Sequence, residues 1–246
     1  MTRAIYETQG KAREYCELAC NLYNGCGHGC VYCYNRVLCG KWGHPDFDNP
    51  QPRDGILESL ERDAWRRQHG GETRPVFLCF TCDPYQPLNT EHQLTRKAIQ
   101  ILHKYELPVM ILTKGGSRAE RDFDLLTEKD WFGVTLTFSE TFDSMKWEPR
   151  AELPNDRIAS LREASHMAGI KTWVSLEPII DPDQTIALIG ATAAYVDHYK
   201  FGKLNHDINL TVDWKTAIPK IKRELDRYDC NYYIKTGTAK YLKERP

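Results

Sequence analysis

Three cysteines stand in the run Cys26-Gly-His-Gly-Cys30-Val-Tyr-Cys33, at CxxxCxxC spacing, with two glycines between the first two. On a tight loop of this length all three thiolates can point at one centre, and the glycines let the backbone turn closely around it. A [4Fe-4S] cubane held by only three cysteines keeps one iron open. An open iron can chelate a small molecule through amino and carboxylate groups. The competing reading is tetrahedral zinc, completed by His28, Cys39, Cys20 or Cys16. Two features count against it: the paired CxxC knuckles of zinc ribbons are missing, and Tyr32 sits between the last two cysteines with Tyr34 just after, where a ring can pack beside an adenine. A fourth protein ligand would block the open iron, so His28 reads as a loop residue.

The elements that must position this loop follow from hydrophobic pattern. Apolar runs of strand length recur at Pro75 to Cys82, Pro108 to Thr113, Trp131 to Phe138, Lys171 to Glu177 and Ala194 to Phe201. Helical periodicity separates them. Thr90 to Tyr105 carries Leu94, Ala98, Ile101 and Leu102 on one face, with Thr90 as a cap. Asn155 to Ala168 turns Ile158, Leu161 and Ala164 inward and stops at Gly169, and a short helix is expected at Gln184 to Ala191. Such alternation implies an α/β fold with a parallel sheet, open or closed as a full or partial barrel. Gly40 to Pro52 reads as a loop. The tail has a helix at Asp213 to Arg227 and an apolar piece, Cys230 to Ile234; it is too short for a domain and is expected to cap the sheet.

Functional groups in α/β barrels gather at the C-terminal ends of strands. Here those ends carry Thr81, Asp83, Lys114, Thr137, Ser139 and Glu177. Lysines and arginines number 33 against 34 acidic residues, a formal charge of -1, so no overall basic bias points to nucleic acid. No apolar run approaches the roughly 18 residues of a membrane span, and the first twenty residues lack a secretion signal, so a cytoplasmic chain is expected. Six of the nine cysteines lie between Cys16 and Cys39, which in a reducing compartment suggests metal chemistry over disulfides. Cys16 and Cys20, with Cys39 or Cys230, are candidates for a second metal.

The motif formed by Cys26, Cys30, Tyr32 and Cys33 matches the CxxxCxΦC signature of the radical S-adenosylmethionine superfamily. More narrowly, the chain resembles the spore photoproduct lyase-like family through Asn21 to Arg36, Thr81 to Pro87, Leu112 to Gly115, Val134 to Ser139 and Val174 to Pro178, with a weaker echo at Gly202 to Asn205. The resemblance implies a partial (β/α)6 TIM-like barrel over about residues 15 to 205, with a short C-terminal cap over about 206 to 246, in one domain. It implies a [4Fe-4S] cluster on Cys26, Cys30 and Cys33, and S-adenosylmethionine across the strand ends. Reductive cleavage would give a 5'-deoxyadenosyl radical that abstracts hydrogen from a substrate. Lys114 matches a lysine that contacts the cofactor's carboxylate. Thr81, Cys82 and Asp83 match a segment that touches the cofactor or substrate, and Thr135 and Thr137 share a strand face that could reach the cofactor. Cys82, or Cys79, is the candidate hydrogen donor, although the lyase's donor cysteine falls where this chain has Phe80. Glu148, Arg150 and Arg157 resemble a charged segment at the barrel mouth.

The implied partner is a one-electron donor such as flavodoxin or ferredoxin. A nucleic-acid base is an open substrate class, with Arg62 to Arg67 and Tyr232 to Lys243 as basic and aromatic stretches that could face it. Two rivals belong to other classes: a zinc-stabilised binding protein, and an Fe-S electron carrier with all four ligands from protein.

Overall fold

The computed structural model describes residues 3–41, 46–167, 169–204 and 210–242. Eight strands form one sheet in chain order: β1 (Tyr6–Glu7), β2 (Leu18–Cys20), β3 (Val76–Leu78), β4 (Val109–Thr113), β5 (Trp131–Thr135), β6 (Lys171–Ile179), β7 (His198–Lys203) and β8 (Tyr232–Ile234). β1 is antiparallel to β2; every later pair is parallel. The longer helices are α1 (Tyr34–Lys41), α2 (Ile56–His69), α3 (Leu94–Lys104), α4 (Thr141–Trp147), α5 (Pro154–His166), α6 (Pro182–Thr192) and α7 (Trp214–Arg227).

Period-two alternation sorts the strand side chains into two layers. Leu18, Val76, Leu78, Val109, Ile111, Phe132, Val134, Val174 and Tyr199 face the helices, packing on Leu60, Ala98, Leu102, Leu161, Leu188 and Ile218. Ala19, Phe77, Met110 and Trp173 form a second cluster with Tyr15, Phe80, Leu112 and Trp131, to which no helix contributes; this is the concave face. Gly133 is needed there, because a Cβ at this position would lie 2.3 Å from the Trp173 indole.

The sheet order is open, as a partial barrel requires, with β1 and β8 at its edges. A 3-10 turn at Gly10–Glu14 lies against the β8 side: Glu14 Oε1 accepts from the Thr236 amide at 2.7 Å and from the Tyr233 hydroxyl at 3.1 Å. Lys200 donates to the carbonyls of Glu14 (3.1 Å) and Tyr15 (2.7 Å).

Differences from the sequence expectation have local causes. The run from Pro75 leaves the ladder at Leu78, because the Phe80 and Thr81 amides turn to the Asn21 side chain at 2.7 and 2.9 Å. The helix expected from Thr90 is a single turn, Asn89–His92, followed by α3. Gln93, at φ +52, separates them, and Asn89 Oδ1 accepts from the Thr95 amide at 3.1 Å. Residues Ala193–Tyr195 form a 3-10 turn ahead of β7. The C-terminal piece is more than a cap: β8 pairs with β7 and adds a seventh parallel strand. Within the stretch read as a loop from Gly40, Gln51–Pro52 pairs with Tyr23–Asn24. Residues 42–45, Ala168, Asn205 and Lys243 lie outside the described residues.

Candidate functional site

The cysteine loop leaves the C-terminal end of β2 and is pinned on both sides. Asn21, 4% exposed, joins the ends of β2 and β3 and donates to the Tyr6 hydroxyl at 2.9 Å. Along the loop, the Cys26 amide bonds to Phe47 O (2.9 Å), the Gly27 amide to Gln86 Oε1 (2.7 Å) and the Val31 amide to Trp147 O (2.8 Å). The Arg150 amide bonds to His28 O (3.1 Å), and Cys33 closes a turn onto Cys30 O (3.2 Å) before α1 begins. Gly29 is at φ +69 and faces Arg150, whose guanidinium would be 2.9 Å from a Cβ.

Burial pushes the Cys30 thiol up to about 12 against the pull of Lys114, and pushes Cys26 well above its ordinary value, helped by its neighbours Asp83, Cys30 and Cys33. Thiols raised in this way are poor free nucleophiles; a bound cationic centre is what favours their thiolates. Among the described residues no three His, Cys, Asp or Glu side chains close on a single metal ion. A cubane spreads three cysteines over three different irons and does not need that closeness.

His28 is buried with both ring nitrogens engaged: Nδ1 is 3.4 Å from Asp83 Oδ2, and Nε2 is 3.0 Å from Arg118 Nη2. It is therefore held away from a ligand role. Asp83 in turn accepts from Thr113 Oγ1 (2.6 Å) and from the amides of Lys114 (2.7 Å) and Tyr85 (2.8 Å). Burial pushes its carboxyl up, but His28 and these donors outweigh that and hold it well below the usual range. Its oxygens thus brace the cysteine loop against the end of β4.

Tyr32, Lys114 and Thr137 do come together. The Tyr32 hydroxyl lies 3.1 Å from Thr137 Oγ1 and hydrogen-bonds to Glu148, and Lys114 Nζ sits 5.6 Å from the Tyr32 ring centroid. Burial pushes the Lys114 ammonium down, and Cys30 and Glu148 more than offset it. Thr135 is buried beneath, and Thr81 is half-buried with its amide on Asn21.

Cys82 falls elsewhere. It packs in the helix-side core with Cys20 and Cys79. Phe80 takes the concave face instead, stacked on Phe77 at 4.2 Å between centroids. Neither thiol belongs to the lumen layer. Cys16 and Cys20 do not form a second metal site either: Cys16 belongs to the concave cluster and donates to Pro75 O at 3.1 Å, while Cys20 belongs to the helix-side core.

The comparisons with known proteins can be set against this geometry. No family model matches the chain. It is 29% identical over 194 residues to an uncharacterised protein of Methanocaldococcus jannaschii, covering 75% of this chain and 69% of that one. It is 27% identical over 241 residues to an uncharacterised protein of Acidianus two-tailed virus, covering 85% and 75%. An uncharacterised protein of Mycobacterium tuberculosis is 27% identical over 198 residues, 71% of this chain and 55% of that one. Among solved structures, a spore photoproduct lyase mutant with bound AdoMet and dinucleoside spore photoproduct superposes with a TM-score of 0.72 at 16% identity, over 93% of this chain and 78% of the lyase. This chain has the fold of spore photoproduct lyase. SuiB of Streptococcus suis, bound to S-adenosylmethionine, superposes with a TM-score of 0.63 at 12% identity, over 86% of this chain and 48% of SuiB.

Within that fold, a polar group around Glu177 lines the concave face. Tyr15 donates to Glu177 and lies 3.1 Å from Ser175 Oγ. Lys235 Nζ is 3.0 Å from Glu177 Oε2 and 4.4 Å above the Tyr15 ring. Gly202 makes room, since a Cβ there would be 3.1 Å from the Lys235 side chain and 3.2 Å from Glu177. Tyr15 and Lys235 flank the barrel in sequence, and no local pattern ties them to it.

Proposed function

We propose that this chain is a radical S-adenosylmethionine enzyme. The observation that supports this most is the loop bearing Cys26, Cys30 and Cys33 at the C-terminal end of the first parallel strand, with His28 committed to Asp83 and Arg118 and so not a fourth ligand. A reduced [4Fe-4S] cluster held there with one open iron would supply the one electron that splits S-adenosylmethionine into methionine and a 5'-deoxyadenosyl radical.

The chain's own groups hold and orient. Cys26, Cys30 and Cys33 are the cluster ligands. Lys114 would pair with the cofactor's carboxylate, Tyr32 would offer its ring to the adenine, and Thr81 and Thr137 would supply polar contacts. The aromatic floor of Phe77, Phe80, Tyr15 and Trp173 excludes water beneath the reacting atoms. Tyr15, Glu177 and Lys235 form the wall that meets the polar groups of the substrate. The reductant is a one-electron donor such as flavodoxin or ferredoxin, and a nucleic-acid base is the substrate class carried over from the dinucleoside photoproduct bound by the lyase. Among the described residues no helix is long and apolar enough to cross a membrane; a cytoplasmic placement is part of the same proposal.

Product analysis tests the reading. Anaerobically reconstituted, dithionite-reduced protein is expected to convert S-adenosylmethionine to equal amounts of 5'-deoxyadenosine and methionine, and the Cys30→Ala variant to make neither. Cluster-loaded protein that forms no 5'-deoxyadenosine contradicts the proposal.

A further inference from the structure

Arg157 in α5 has no exposed surface, and its guanidinium ties the end of β5 to the connection between α4 and α5. Nε donates to Glu152 O at 2.7 Å, Nη1 to Thr135 O at 3.0 Å, and Nη2 to Glu148 Oε2 at 2.6 Å. Glu148, 2% exposed, turns its other oxygen to the Tyr32 hydroxyl. Burial opposes charge on both partners, but their mutual attraction outweighs it, keeping the glutamate anionic and the arginine cationic. A buried pair of this kind is weak evidence for stability, because apolar side chains in its place often serve as well or better. What a planar, five-donor fork does supply is direction.

The groups at the end of that fork are those assigned above to S-adenosylmethionine. Tyr32 is held by Glu148, Thr137 Oγ1 lies 3.1 Å from the Tyr32 hydroxyl, and the Lys114 carbonyl accepts from the Glu152 amide at 3.0 Å. Resting on the radical-enzyme reading, we propose that the Arg157–Glu148 pair is a positioning device that sets Tyr32 and Lys114 for S-adenosylmethionine. Neither member touches the cofactor. Each acts through the tyrosine ring or the lysine strand end, and loss of either member loosens cofactor binding while leaving the three cysteine ligands in place.

The test compares reconstituted wild type with Glu148→Gln, Tyr32→Phe and the double variant. Iron content, thermal unfolding, S-adenosylmethionine affinity by equilibrium dialysis, and the change that S-adenosylmethionine makes in the reduced cluster's paramagnetic resonance spectrum are all measured. The expected result is normal iron loading with affinity lowered roughly 10- to 100-fold in Glu148→Gln, the range for groups that orient ligands from behind. Tyr32→Phe, which keeps the ring and removes the hydroxyl, should lose part of the same affinity. The double variant should fall no further than Glu148→Gln, since both changes cut one link. Wild-type affinity and an unchanged spectral response in Glu148→Gln overturn the proposal, as do additive losses. Should Glu148→Gln fail to fold, wild-type affinity in Tyr32→Phe overturns it alone. A wild-type protein that loads no cluster, or shows no response to S-adenosylmethionine, removes the underlying reading and the proposal with it.

Discussion

Lys200 carries its ammonium into the concave face at 9% exposure, against the rings of Tyr15 and Trp173. Burial, aided by the like charge of Lys235, lowers its pKa to about 8, although Cys16 and Glu14 pull the other way. Between about 8 and the ordinary 10.5 the unfolded chain therefore holds more protons than the folded one, and stability rises with pH. The penalty is full below about 8 and gone above 10.5. A shift of this size corresponds to about 3 kcal/mol. Urea unfolding should show wild-type stability gaining on Lys200→Met by up to about that amount across the window; parallel curves for the two proteins would refute the assignment. At the same scale, replacing Cys26, Cys30 or Cys33 singly by alanine should reduce bound iron from about four atoms per chain to a small fraction, whereas Cys16→Ala and Cys82→Ala should load normally.

Among elements, the cysteine loop depends most on a single backbone conformation. Gly29→Ala puts a side chain at φ +69 and 2.9 Å from Arg150. It should cost roughly 1–3 kcal/mol and impair iron loading. Gly27→Ala should be much milder, since its Cβ would meet Pro87 at an ordinary 3.5 Å. Equal iron content and melting temperature in the two variants would contradict this account of the loop. The strands around it were legible because β4, β5 and β6 are apolar runs buried on both faces, and the cysteine spacing marked the loop directly. Asp83 was legible as a polar strand end but its pairing with His28 was not, because that partner comes from a loop more than fifty residues earlier in the chain. The layer that Cys82 joins was hidden for a related reason. The chain leaves the ladder at Leu78 to satisfy Asn21, and strand alternation no longer says which layer a side chain joins.

For the molecule as a whole, the open sheet brings the two ends of the chain to one wall of the lumen. Glu14 and Tyr15 come from before β2, and Lys235 follows β8. No periodicity could have announced that meeting. Lys235→Met removes the ammonium 3.0 Å from Glu177 in a largely buried setting, and breaking a buried pair from one side costs about 3–5 kcal/mol. Much of that loss should return in the Lys235→Met, Glu177→Gln double variant, measured by urea unfolding; a double variant as weak as the sum of its singles would deny the coupling.

The central claim is that the three-cysteine loop presents an open iron to S-adenosylmethionine. Electron paramagnetic resonance of anaerobically reconstituted, reduced protein tests it most directly. The account predicts a [4Fe-4S]+ signal that changes when S-adenosylmethionine is added and is absent in Cys30→Ala. Stoichiometric zinc with no iron signal after reconstitution, or a cluster signal indifferent to S-adenosylmethionine, would contradict it.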